Sequence, residues 1–380
     1  MPSRLVPIWF LDRIIEGTLA TLQLPLAVHS QPGRIRLSLA VRFPGFRALA
    51  WQGDFLYASR GYEVQRARIV GKGRPIQWEH VADFRPPWWR TLTSRSRLAA
   101  RLCRDGFHAL AALPSGELIA AIPKNIVALS SDSQEFRETH RVLRGTRPLH
   151  FAVTGKGHIF WGEYFDNPQR GEVYIYGSTD RGTHWDVAYT FAHHTIRHVH
   201  NIVYDQWENC LWVLTGDNAP ECLIMRASCD FKDVETVFSG KQQARSVALI
   251  PTRDALYFSS DTPFEKNHVY SLDRRGNLST LAELSSSSIC GCRVGNAIFF
   301  STMVEPTRAN PERDVCIYAS SDGRKFTRIL NWIKDPWPMH LFQYGNAFFP
   351  DGNNTSGLLA VTTVAVKHAD CETTLWQVSR

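Results

Sequence analysis

Six basic residues recur at one place in a repeating pattern. Arg47, His108, His150, His200, Arg245 and His340 each stand at the start of an apolar, strand-like run, and Gly291 takes the remaining place. Arg197, His198 and Asn201 crowd the fourth of these starts. A second set of runs ends in acids: Glu163 (followed by Tyr164), Asp217 and Asp261, with Asp351 near the corresponding place. These residue types support three chemistries. Arg47 and Arg245 would hold a substrate carboxylate by forked hydrogen bonds, with His108, Arg197 and His340 as further binding contacts. Glu163 or Asp217 would act as general acid in glycoside cleavage, assisted by His150, His200 or Tyr164. Alternatively, His200 would remove a proton beside a uronate carboxylate. A divalent metal is the one cofactor the pattern leaves room for, ligated by His108, His150, His200 and His340. The plainer alternatives are that the basic residues solvate a polar hole and that acids such as Asp261 and Asp351 cap turns.

The elements that would position these residues follow from a repeat. Strand starts fall at Phe46, Phe107, Leu149, Val199, Ala244, Cys290 and Met339, and beyond the first gap the spacings are 42, 50, 45, 46 and 49 residues. That is the length of a four-stranded propeller blade. The third unit reads as strands over 150–154, 158–162, 172–177 and 186–191, punctuated by Gly155-Lys-Gly157 and Asn167-Pro168. The expectation is an all-β, seven-bladed β-propeller of four-stranded antiparallel blades, with six blades as the alternative. Residues 1–33 read as a lead-in and 34–380 as one propeller domain. The alternating run Arg34 to Phe43 is expected to clasp the last blade and close the ring, removing an exposed sheet edge. In a propeller the innermost strands line one channel, so equivalent starts face one mouth.

A local motif keeps phase with the repeat. Ser178-Thr-Asp180-Arg-Gly182-Thr-His-Trp185 has the form S-x-D-x-G-x-x-W at the hairpin between a third and a fourth strand. Asp180 can accept bonds from the hairpin backbone, Gly182 supplies a positive-φ position, and Trp185 packs beneath. Ser320-Ser-Asp322-Gly323-Arg-Lys-Phe326 is a shortened copy; Ser130-Ser-Asp132 and Ser228-Cys-Asp230 are decayed copies, and Asp273-Arg-Arg-Gly276 marks the same hairpin. On these boxes the chain resembles the Asp-box (BNR-repeat) sialidase-like propellers over Phe46 to Val378. The resemblance implies a glycan-active protein whose boxes are scaffold, on the face opposite the active site. Sialidases also carry an arginine triad and a FRIP-like motif. Here Arg42-Phe-Pro44 does not match that motif, and histidine fills most inner-strand starts. His-rich mouths resemble those of propeller polysaccharide lyases.

Composition narrows the partners. The net charge is +7, which suits an acidic oligosaccharide or polysaccharide. No nucleic-acid-binding motif accompanies the charge, so nucleic acid is not expected as a partner. No apolar run of about 18 residues spans a membrane. The eight cysteines are scattered, and Cys290-Gly-Cys292 lacks the second pair a zinc knuckle needs. Gly17 to Val28 is apolar, but Asp12 and Glu16 stand where a signal peptide carries positive charge, which favours a cytoplasmic over a secreted protein. A monomer is expected. The Arg/Trp-rich insertion at 85–104 carries Trp88 and Trp89, which would stack on sugar rings; the alternative is a short rim helix around Leu98 to Cys103. The functional expectation is cleavage of an acidic saccharide at a His/Arg-lined channel mouth, by hydrolysis or elimination. The alternatives are a non-catalytic glycan- or protein-binding propeller and a His-ligated metal enzyme.

Overall fold

The structure is a computed structural model that describes residues 35–70 and 75–379. The segment Gly17 to Val28 lies outside the described residues. From Ile35 onward the chain forms seven antiparallel blades. Blade 4 is the most regular, with strands His198–Asp205, Cys210–Gly216, Leu223–Ser228 and Val234–Ser239 running from the axis outward. Second strands such as Leu118–Ile122, Cys210–Gly216 and Ala297–Thr302 are buried throughout, because each is covered by a neighbouring blade on both faces. Outer strands such as Asp186–Phe191 carry exposed residues. The apolar core is accordingly divided into several wedge-shaped clusters, such as the one around Phe299, Val315 and Val361.

The ring closes as expected. Strand Arg36–Pro44 pairs antiparallel with Glu372–Ser379 and becomes the outermost strand of blade 7. The seventh inner strand does not begin at Met339, however. Met339–Phe342 is a short helix, and the strand is Asn346–Phe348. After it the chain crosses to blade 1, where Asp351–Asn354 pairs in parallel with Arg47–Gly53 on the channel side.

The Ser-x-Asp hairpins share one geometry. Ser178 Oγ donates to Asp180 Oδ1 at 2.8 Å, the Gly182 amide donates to Ser178 Oγ at 2.9 Å, and the His184 amide donates to Asp180 Oδ1 at 3.0 Å. Gly182 has φ +82°, and a Cβ there would lie 2.6 Å from Ile119 Cγ1, so any larger residue would be strained and crowded. The same bonds recur from Ser320 to Asp322 and from Ser228 to Asp230.

Candidate functional site

A β-bulge decides which side chains reach the mouth. In blades 1, 4, 5 and 6 the pairing of inner and second strands slips by one residue near the strand start, leaving Leu49, His200, Val247 and Ile289 as the extra residues. Bulges re-aim side chains. Counting back from the bulge makes Arg47, His198, Arg245 and Ser287 structural equivalents. The sequence alignment, blind to the bulge, placed His200 and Gly291 in that row; the residue in phase with Arg47 and Arg245 is His198.

On the side of blades 4 and 5 the bulge and its neighbours gather around Asp217. Its Oδ1 lies 3.2 Å from Arg245 Nη2, 3.4 Å from His200 Nε2 and 3.6 Å from His198 Nε2. Its Oδ2 lies 3.0 Å from Arg197 Nη1. Burial would raise the Asp217 carboxyl, but the two imidazoles and Arg245 drive it far below the carboxylate range. A carboxylate held this firmly ionised is a ligand or counter-ion, and it cannot serve as a general acid. The Tyr164 ring lies 4.4 Å from the His198 ring, and burial together with Asp261 and Asp217 pushes its phenol up to about 12. Glu305, which the sequence reading missed, is raised by burial and then by Asp261.

Glu163 is turned elsewhere. Its two carboxylate oxygens pair with Arg144, Nε at 2.9 Å, and one also accepts the Tyr174 amide at 2.9 Å. Burial raises this carboxyl against the pull of Arg144, but the ion pair stitches an inter-blade loop to blade 3. Neither acid is therefore arranged as the general acid expected of it.

The opposite side of the mouth is basic. Arg47 lies over the Phe348 ring at 4.8 Å, and its Nη2 donates to the His108 carbonyl at 3.4 Å. Burial lowers Arg47; Arg147 is pulled down to about 9, first by burial and then by the charges of Arg47 and Arg104; Arg104 is lowered by burial and by Arg101. Among the described residues none of these three guanidiniums has a carboxylate within 4.0 Å, whereas other arginines, such as Arg90, Arg101, Arg144, Arg170 and Arg197, do. Burial, Arg147 and Arg47 keep His108 neutral well below the usual imidazole range. Its Nε2 lies 2.8 Å from the Arg104 carbonyl, which can only accept, so the proton sits on Nε2 and the lone pair on Nδ1. The second-blade histidine thus presents a neutral ring nitrogen in a field of positive charge. Arg104 and Arg147 lie just outside the repeat's strand starts; their places shortly before His108 and His150 were the signal available.

Of the remaining candidates, His150 is near enough to Arg47 to feel its charge. His150 Nδ1 is 3.0 Å from Asp351 Oδ2, on the strand that crosses to blade 1. His340 is exposed on the helix Met339–Phe342. The four histidines suggested as metal ligands do not gather; among the described residues the histidine-containing set close enough to share an ion is His198, His200 and Asp217. Trp88 and Trp89 are exposed on helix Trp88–Thr93, with Arg90 over the Trp89 ring at 4.4 Å. The insertion's second helix, Arg97–Cys103, is the rim helix that was the alternative for this segment. Its Arg101 is 2% exposed and pairs with Asp335 at 2.6 Å and Asp370 at 2.8 Å, fixing Arg104 beside His108. No helix among the described residues is long and apolar enough to cross a membrane.

No family model and no curated protein matches this chain. Solved structures do resemble it. A chain of the mitotic checkpoint complex aligns over 96% of this chain and 100% of its own, with 10% identity and a TM-score of 0.53. The AfRom2 CNH domain aligns over 91% of this chain and 99% of its own, at 7% identity and TM-score 0.52. The Neurospora crassa Pan2 WD40 domain aligns over 92% and 97%, at 9% identity and TM-score 0.51. At such identities the likeness establishes the propeller fold.

Proposed function

We propose that this propeller acts on an acidic saccharide at its channel mouth, seating the sugar carboxylate on Arg47, Arg104 and Arg147. The observation that carries this reading is a group of half-buried guanidiniums without carboxylate partners among the described residues. Crowding like charges in a partly desolvated site is costly, and an arriving carboxylate removes that cost while forming charge-assisted hydrogen bonds.

Elimination fits these residues better than hydrolysis. Both candidate general acids, Glu163 and Asp217, are committed to ion pairs. In a uronate, the arginines would stabilise the negative charge that develops as the proton beside the carboxylate leaves. His108 Nδ1 would accept that proton; once the carboxylate offsets Arg47 and Arg147, the imidazole's proton affinity rises. The electron pair then forms the new C=C bond and expels the glycosidic oxygen. The Tyr164 phenol, which keeps its proton to about pH 12, would protonate that oxygen.

The test is to incubate the purified chain with a panel of oligo-uronates and follow ultraviolet absorbance of the unsaturated product. The reading expects product from wild type and at least a 100-fold loss of turnover in His108→Ala, with substrate affinity within a few-fold. New reducing ends formed without any unsaturated product would indicate hydrolysis and overturn the elimination step. Binding without any cleavage would overturn the catalytic reading and leave a glycan-binding propeller.

A further inference from the structure

The structure assigns a divalent transition-metal site to His198, His200 and Asp217 on the acidic side of the mouth, with a zinc-like ion as the occupant. It rests on different residues from the carboxylate seat and stands or falls separately.

The argument begins with the ring nitrogens that face away from the cluster. His198 Nδ1 lies 3.0 Å from the Phe165 carbonyl and His200 Nδ1 lies 3.0 Å from the Ser246 carbonyl. A carbonyl oxygen only accepts, so each Nδ1 carries a proton and Nε2 is the nitrogen each ring turns toward the cluster, a lone-pair donor in the neutral form. Those two Nε2 atoms are 3.1 Å apart, and both approach Asp217 Oδ1, at 3.6 and 3.4 Å. Three electron-pair donors thus converge on one point. A cation at that point satisfies both nitrogens and the carboxylate at once, whereas a single shared proton satisfies at most two of the three.

The spacing fits a metal. Ligands about 2.0–2.1 Å from a tetrahedral ion stand about 3.3–3.4 Å apart. The three observed separations, 3.1, 3.4 and 3.6 Å, bracket that edge. Two imidazoles and one carboxylate are a usual set for zinc and its neighbours, and three protein ligands leave one position for water or a substrate oxygen.

The outer contacts are those of a metal site. Backbone carbonyls fix the tautomer and plane of both imidazoles, while Arg197 holds the free oxygen of Asp217. His198 and His200 are 5% and 3% exposed, so they are already desolvated and oriented. Charge also favours a cation. Asp217, Asp261 and Glu305 gather here, against Arg197 and Arg245. Asp261 is 7% exposed, and its Oδ1 is buried without a hydrogen-bond partner among the described residues. The other compact grouping of ligand atoms, Asp205, Glu208 and Cys210, differs in kind. There Arg274 at 2.5 Å, the Trp212 indole at 3.0 Å and the Trp207 amide at 3.0 Å already satisfy Asp205.

Chelator-stripped protein should be dialysed against zinc and titrated with cobalt(II). The expected result is one ion per chain, with the intense visible absorption of tetrahedral cobalt and two paramagnetically shifted, slowly exchanging ring N–H signals from the imidazoles. Affinity should fall at least tenfold in Asp217→Asn and further in His198→Gln and His200→Gln, with near-ultraviolet circular dichroism confirming the fold. Where a variant fails to fold, the two shifted N–H signals of wild type decide. Stoichiometry below one, six-coordinate cobalt without shifted N–H signals, or equal affinity in folded variants would overturn the site and leave a shared proton between the rings. Binding of an acidic saccharide by stripped protein does not depend on this outcome.

Discussion

His150 and Asp351 show how one pair ties the channel together. His150 opens blade 3, and Asp351 lies on the strand that crosses from blade 7 to blade 1, so the bond spans the ring. Burial alone would lower the imidazole, but the Asp351 charge and hydrogen bond outweigh it and raise the pKa. A group whose folded pKa exceeds its unfolded value stabilises the fold fully below the unfolded value, and that contribution is lost as pH rises through the folded value. The His150 ring proton should therefore titrate by NMR above about 6.5. In Asp351→Asn the midpoint should drop below that of wild type, and the difference in melting temperature between the two proteins should shrink as pH rises past neutrality. A midpoint unchanged in Asp351→Asn would show that the contact is not made in solution. The residue types at the mouth were legible in sequence, since Arg47, Arg245 and Asp217 stand where the repeat placed them. The partners were not. Arg144 claims Glu163 from a loop between blades, and nothing in the spacing of either residue marks that pairing.

At the scale of elements, the bulges and the insertion set the site. Seven blades were readable because several of them repeat one turn chemistry in phase, as at Ser178 to Gly182 and Ser320 to Gly323. A bulge adds one residue without changing composition, so it is invisible in a hydrophobic pattern, and it moved His198 rather than His200 into the row of Arg47. The seventh strand was misplaced for a related reason. Met339 to Phe342 is as apolar as a strand start, but Pro336 and Pro338 lead it into a helical turn that packs near the insertion. That packing depends on Arg101, which holds Asp335, Asp370 and the Phe342 carbonyl. Replacing Arg101 by Ala removes the shared partner of two buried carboxylates, leaving Asp335 to Lys334 and Asp370 to Arg97, and should cost about 3 kcal/mol. Lysine keeps the charge but lacks the planar fork, so Arg101→Lys should recover only part of that loss. Denaturant unfolding measures both. Wild-type stability in Arg101→Ala would mean that the helix packs through its apolar side chains alone.

At the scale of the whole molecule, closure by Arg36–Pro44 fixes the blades rigidly enough for loops from several of them to share one mouth. That mouth is divided by charge: Arg47, Arg104 and Arg147 on one side, Asp217, Asp261 and Glu305 on the other, with Tyr164 sensing both. The central claim is that the basic side seats a sugar carboxylate. Calorimetric titration with an oligo-uronate and with its methyl ester, each at low and at high salt, tests it most directly. The acidic form should bind, weaken as salt is added, and lose at least tenfold in affinity in Arg147→Ala, while the ester binds poorly at either salt concentration. Equal binding of acid and ester, or an Arg147→Ala variant that binds the acid as well as wild type, would contradict it.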